Sequence, residues 1–484
     1  MRISKQQSKI ISSKALSQRG EEYNKRTQAM RAFLALSFTS ILLLANPRVS
    51  AVQSPTLPTP TCAWQFEWTP FGLGNWLWAD TANRWPYMPI DPQWQQLTIT
   101  GVYPKARFFS FAVYDNAPVS TGLADHLFDA QIVPDPGSGN PFATSGPGSC
   151  NPSAKHHPGS CNPSATPDPT YTITVTRSNK TAGNELQLHA DTGWLVYRLY
   201  LPNAGGDSMG GVPLPEVKVT VNGQTTPLPT CPIVNRQSEI AQLQPQFVPA
   251  ELEYPLDPQL NLNIPPVPDH IWFGAIAEPP PVLLPNPDNK YLVSFFMPEY
   301  EPDRVIVIRG KMPAFPDTYH GRPVSQPARG FHTVQLRYWG ACQGELVSPL
   351  PVIGCATDAS TPLDRHGFYT IVISNDVLRP EWLPHGVVWL PWGDEKMVPK
   401  LIFMRNLLAS ADFSQSVQNA VAQGCGFDFT FPTPPTQDAI KGSGECAQDV
   451  MGDYYPEAVW CDRQTFISGG WRACFRAAHV PVRP

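Results

Sequence analysis

The run Arg107-Phe-Phe-Ser-Phe-Ala112 decides how this chain is read, because it is answered by Arg337-Tyr-Trp-Gly-Ala-Cys342 far downstream. Each is a short, largely aromatic run led by an arginine, the composition of a strand. Three further pairs flank them in the same order. Thr98-Ile-Thr-Gly-Val-Tyr-Pro104 corresponds to Val307-Ile-Arg-Gly-Lys-Met-Pro313, and Tyr171-Thr-Ile-Thr-Val175 to Tyr369-Thr-Ile-Val-Ile373. Leu195-Val-Tyr-Arg-Leu-Tyr-Leu201 corresponds to Ile402-Phe-Met-Arg-Asn-Leu-Leu408. The expected fold class is mainly β, with two related β-sandwich (jelly-roll-like) domains at 62–232 and 290–424. A proline-rich linker at 233–289 joins them, and a small cysteine-rich C-terminal tail follows at 425–484.

Composition agrees. Proline accounts for 56 of 484 residues, over twice the usual share of ~5 %. Proline lacks a backbone N–H and clashes inside helices, which excludes a mostly helical architecture. Hydrophobic residues make up 42 % and charged residues 15 %, too apolar a balance for a disordered chain. One helix is expected, with Ser410 as N-cap, Phe413, Val417 and Val421 on one face and Gly424 as its stop.

Residues 1–51 read as a signal peptide. A basic segment is followed by the uncharged run Ala32–Ala45 and by Val49-Ser50-Ala51 with small residues at a cleavage point. The apolar run is too short to span a bilayer, which takes about 20 residues, so no membrane span is expected after signal removal. Residues 1–29 can be a mis-start upstream of Met30. The expected location is secreted or periplasmic. Without the leader the chain keeps 26 basic and 38 acidic side chains, a net charge of −12. With no basic cluster to release counterions, nucleic acid is not expected as a partner.

All ten cysteines follow the leader, an even number that reads as disulfides. No Cys-x-x-Cys occurs, so no metal is expected, and no cofactor motif is present. Cys342 and Cys355 flank a loop containing Gly344, Pro349, Pro351 and Gly354 and are expected to pair. Cys62 and Cys231 bracket the first domain. The last four admit three pairings, which the sequence leaves open. An 11-residue tandem repeat at 136–168, carrying Cys150 and Cys161, reads as an expanded surface loop.

Two groups of residues are candidates for function. Trp76, Trp78, Trp85 and Trp94 belong to a cluster that also includes Trp64 and Trp68. Such rings either fill a core or offer flat faces to a glycan or small apolar-faced ligand. Arg107, Arg198, Arg337 and Arg405 sit inside apolar strands at matching places in the two repeats. A buried guanidinium needs a partner. Asp115, Asp191, Asp376 and Asp394 are the acids considered, the alternative being an anion clamp built on arginine's bidentate fork.

Enzyme signals are thinner. Asp364-Arg365-His366 and His189-Ala190-Asp191 place His near Asp without a Gly-x-Ser-x-Gly elbow. Carboxylate pairs for glycoside hydrolysis can be drawn from Asp80, Asp91, Asp115, Glu299 and Glu301 without any specific spacing. Gly205-Gly-Asp-Ser-Met-Gly-Gly211 lacks the ending of a phosphate loop. The functional expectation is a non-catalytic envelope or extracellular binding protein for a glycan or small molecule. The alternatives are a secreted hydrolase with carboxylates at the domain interface and a purely structural envelope protein.

The segments Arg107–Asp115 and Leu195–Pro202 resemble the β-sandwich domains of unknown function found in exported bacterial proteins. The resemblance covers about 110 residues around these two motifs. It implies a fold and an export route, and it carries no catalytic residue.

Overall fold

The run at 107 lies on strand β4 (Ala106–Asp115), whose residues are buried on both faces up to Tyr114. A strand covered on both sides is largely apolar, so this segment shows no alternation, and Arg107 and Ser110 are its buried polar residues. In the computed structural model the described residues are 59–70, 74–75, 77–143, 168–181, 183–232, 269–296, 303–346, 350–393, 400–429 and 435–481, all within the unit Pro55–Pro484. The leader, the tandem repeat from 144 to 167 with Cys150 and Cys161, and Trp76, Glu299, Glu301 and Asp394 lie outside them.

The described residues are mainly β and form four sheets. Sheet one orders β1 (Phe66–Trp68), β2 (Asn83–Ile90), β8 (Gly193–Pro202), β4 and β5 (Gly122–Phe128). Sheet two orders β10 (Gln224–Leu228), β9 (Glu216–Val221), β3 (Gln96–Val102), β6 (Thr170–Thr176) and β7 (Glu185–Gln187). On β3 and β6, buried Ile99, Tyr171 and Ile173 alternate with threonines, so sheet two has one wet face. Phe109, Phe111 and Val113 of β4 pack on those buried residues in one shared core.

Sheet three orders β11 (His270–Ile271), β21 (Glu457–Asp462), β14 (Arg304–Lys311), β17 (Phe368–Ser374) and β18 (Val388–Pro391). Sheet four orders β16 (Val352–Thr357), β15 (Leu336–Glu345), β19 (Lys400–Ala409), β13 (Asn289–Phe296), β12 (Gly274–Ile276) and β20 (Gly426–Phe427). Their common core joins Ile306, Ile308, Tyr369 and Ile371 to Ala341, Ile402 and Met404. The outer face of sheet three is also covered, since Val305, Val307 and Val372 pack on Phe466 and Phe475. Sheets one and four meet through Phe108, Tyr114 and Tyr200 on one side and Tyr338 and Leu407 on the other.

The four matched sequence pairs fall on β3 and β14, β4 and β15, β6 and β17, and β8 and β19. Sheet one contains the order β2-β8-β4-β5, and sheet four contains β13-β19-β15-β16. β6 pairs with β7 in parallel, as β17 does with β18.

Three expectations change. Residues 269–289, expected in the linker at 233–289, contribute β11, β12 and the start of β13 to sheets. Helix α1 is short, Val417–Ala422, and its N-cap is Ser416, which accepts from Asn419 N, rather than Ser410. The C-terminal region is integral rather than appended. It supplies α2 (Gln437–Met451), the inner strand β21 and α3 (Arg463–Ala477, broken at Gly470).

Four disulfides are present among the described residues: Cys62–Cys231, Cys342–Cys355, Cys425–Cys446 and Cys461–Cys474. Cys342 and Cys355 pair as expected, directly opposite each other on β15 and β16. The open pairing of the last four is thereby resolved. No helix among the described residues is long and apolar enough to cross a membrane.

Candidate functional site

The four strand arginines converge where sheets one and four meet. Arg107 donates from Nε to Thr318 Oγ1 at 2.5 Å and from Nη1 to Asp358 Oδ2 at 2.9 Å. Arg337 lies 3.1 Å from Asp129 Oδ2. Arg405 donates from Nη1 to Asp80 Oδ2 at 3.1 Å and from Nη2 to the Trp78 carbonyl at 2.7 Å. Arg198 donates from Nη2 to Tyr114 Oη at 2.7 Å and to the Leu284 carbonyl at 2.8 Å.

The acids are therefore Asp358, Asp129 and Asp80, not those considered from sequence. Asp115 accepts from His189 and Ala190 backbone N–H groups, and Asp376 accepts from Ser374 Oγ. Asp191 offers its backbone carbonyl to Arg177. Asp358 and Asp129 also accept from the Trp339 and Phe109 backbone N–H groups, which orients both carboxylates. Burial pushes Asp129 up to about 6 against the pull of Arg337, and it raises Asp358 against the pull of Arg107.

Arg198 and Arg405 also face a cavity of about 70 Å³, walled by Trp68, Trp78, Trp85 and Tyr200 with Asn286 at its edge. This is where two of the candidate tryptophans go. Trp78 and Trp85 are 8 % and 5 % exposed, so neither offers an open face for stacking at the surface. Trp94, 4 % exposed, belongs to the core between sheets one and two. The core-filling reading describes these three rings, because each belongs to a cluster of buried apolar residues.

A larger cleft of about 880 Å³ opens at the same seam. Sheet one and its connections supply Thr81, Asn83, Arg84 and Ser208, and the other side supplies Tyr319, Thr357 and Ser360. Its lining carboxylate is Asp207, in the glycine-rich loop, whose Oδ1 accepts from Met209 and Gly211 N–H groups. The disulfide reaches this cleft through Cys355, which accepts from Thr81 N at 3.5 Å. Sequence reasoning did not find the cleft, since its polar residues come from loops and strand ends with no shared spacing.

The carboxylate pairs considered for hydrolysis do not assemble among the described residues. Asp80 is held by Arg405 and Tyr338, Asp91 accepts from Gln93 N, and Asp115 faces His189. Asp364 is bonded to Arg309 at 2.6 Å.

No family model matches the chain, and no curated protein matches it. Two solved structures are similar. An uncharacterised protein of Burkholderia cenocepacia has 13 % identity and a TM-score of 0.42, over 72 % of this chain and 80 % of that one. A protein of Vibrio parahaemolyticus has 9 % identity and a TM-score of 0.32, over 68 % of this chain and 85 % of that one.

Proposed function

We propose that this chain is an exported, non-catalytic binding protein whose ligand, a glycan or similar small polyhydroxylated molecule, occupies the cleft at the seam. The cleft carries this reading. Its volume, about 880 Å³, falls in the range of ligand sites, roughly 300–1,000 Å³. Hydroxyl groups line it from both sides of the seam, and the sheet-one side adds the Asn83 and Asn203 amides and the Arg84 guanidinium, which is paired with Glu67. With Asp207 committed to its own loop, the lining favours binding over the two-carboxylate chemistry of glycoside hydrolysis.

Export is supported by the three-part leader and by four disulfides, which persist in oxidising compartments. Mass spectrometry of the exported protein should find an N-terminus near Val52. A retained leader would refute export with cleavage.

The two halves are read as copies of one β-sandwich, jelly-roll-like domain, akin to those of exported bacterial proteins. Shared strand order supports this, together with features that composition does not require. Leu201 and Leu408, near the ends of matched strands, both have left-handed φ, 44° and 46°, a conformation rare outside glycine. Both β4–β5 and β15–β16 carry a register shift, at Val113/Tyr114 and Gln343/Gly344. In a crystal structure, 98–202 should superpose on 307–408 with the matched segments on equivalent strands.

A glycan array followed by calorimetry on the mature protein tests the function. Binding that is abolished by Ser208→Trp, which fills the cleft, is the expected result. Turnover of a bound glycan would replace this reading with a hydrolase, and no binding of any glycan would leave a structural envelope protein.

A further inference from the structure

The buried arginines do not balance. Arg107, Arg337 and Arg405 each face a carboxylate within 3.1 Å, whereas Arg198 forms no ion pair among the described residues. It is 1 % exposed, and its Nη1 is buried without a hydrogen-bond partner. A carboxylic acid or amine in this position would shed its charge, but a guanidinium does not deprotonate in proteins. An unpaired buried charge is strongly destabilising. The Tyr114 hydroxyl and Leu284 carbonyl satisfy Nη2, and the guanidinium lies 5.5 Å from the Tyr114 ring centroid, but no carboxylate pairs with it among the described residues.

Beside this group is the cavity of about 70 Å³ shared with Arg405. A single water needs only about 10–15 Å³ by this measure, so the space takes a small ion with its remaining hydration. Its polar lining comprises two guanidinium groups, Tyr200, Tyr291 and Asn286, whose amide donates to Tyr200 Oη.

We propose that this cavity is a binding site for one small monovalent anion, a halide or a carboxylate of formate or acetate size, held between Arg198 and Arg405. Of the four guanidinium groups, Arg198 alone lacks a carboxylate within ion-pair distance among the described residues, and one negative charge is its complement. Asp288 is a fourth buried carboxylate whose field reaches Tyr114 and Asp129, but it forms no ion pair with Arg198; its Oδ1 lies 3.4 Å from His126 Nε2.

The test is unfolding of the full chain in urea at constant ionic strength, with sodium gluconate, chloride, bromide or formate as the salt. Gluconate is too large for the cavity. The unfolding constant should fall in chloride, bromide or formate relative to gluconate, by about 100-fold once the anion reaches 100 times its Kd. A fall with halides alone identifies a halide site, and a fall with formate alone a carboxylate site. Arg198→Met should remove the dependence, while Arg84→Met at the cleft should keep it. Equal unfolding in all four salts, or a dependence that survives Arg198→Met, would overturn the proposal. If Arg198→Met does not fold, wild-type crystals grown in bromide and in formate decide. An anomalous bromide peak or formate density between the two arginines supports the site, and water alone in both refutes it.

Discussion

Arg107 and Arg337 each donate from Nη1 to the other's backbone carbonyl, at 3.3 and 3.4 Å. The exchange is reciprocal, and so are the acids. Asp358 follows β16 and holds Arg107, and Asp129 follows β5 and holds Arg337. Sheets one and four are thus joined by an approximately two-fold set of buried charges rather than by apolar contact alone.

Removing one member of a buried pair should be costly, because it strands the other. Asp358→Ala is expected to destabilise by about 3–5 kcal/mol, whereas Arg107→Met combined with Asp358→Leu should recover most of the loss. Urea denaturation of the single and double variants measures this. A double variant no better than Asp358→Ala would show that charge pairing is not what holds Arg107.

Asp129 gives the junction a pH dependence. With its folded value about 6 and its unfolded value near 3.9, the native state binds this proton more tightly. Its contribution is therefore fully present below about pH 4 and is lost as pH rises to about 6. The loss is roughly 3 kcal/mol for a shift of this size. Asp129→Asn should remove that slope, so the variant should gain on wild type between pH 4 and 7. A gap that stays constant over that interval would contradict it.

Gly101 and Gly310 lie beneath tyrosine rings. A Cβ at Gly101 would stand 2.4 Å from Tyr171 Oη, and one at Gly310 2.5 Å from Tyr369 Oη. Alanine at either position should cost about 1–3 kcal/mol through overpacking, with similar values at the two sites. Thermal unfolding of Gly101→Ala and Gly310→Ala checks this, and an unchanged Tm in either variant would refute it for that site.

The disulfides should differ in weight. Cys62–Cys231 closes a separation of 169 residues and Cys342–Cys355 one of 13. On chain entropy, removing the first should cost about 5 kcal/mol and removing the second about 3. Paired Cys→Ala variants in denaturant test the order, and a larger cost for Cys342–Cys355 would reverse it.

The strands were legible because central strands buried on both faces are rich in apolar residues, as at Phe108–Tyr114 and Ile402–Met404. The partners of the arginines were not. Asp358, Asp129 and Asp80 are separated from Arg107, Arg337 and Arg405 by 251, 208 and 325 positions, beyond any local pattern. Helix α2 was hidden for a different reason. Its packed face uses Ser443, which donates to the Cys425 carbonyl and accepts from Ala275 N, and Gly444 against Tyr455. Small and polar residues there mask the 3.6-residue apolar period by which helices are recognised. The tryptophans left two readings open, because an aromatic cluster looks alike in sequence whether it fills a core or faces solvent.

Among the described residues no disulfide crosses the seam. Cys62–Cys231 lies within the first pair of sheets, and the other three lie within the second pair and the helices packed on it. Thiol oxidation on each side can therefore be complete while Arg107 and Arg337 are still hydrated. Among the described residues the seam is thus held by the drying of charged faces against one another rather than by a covalent bond.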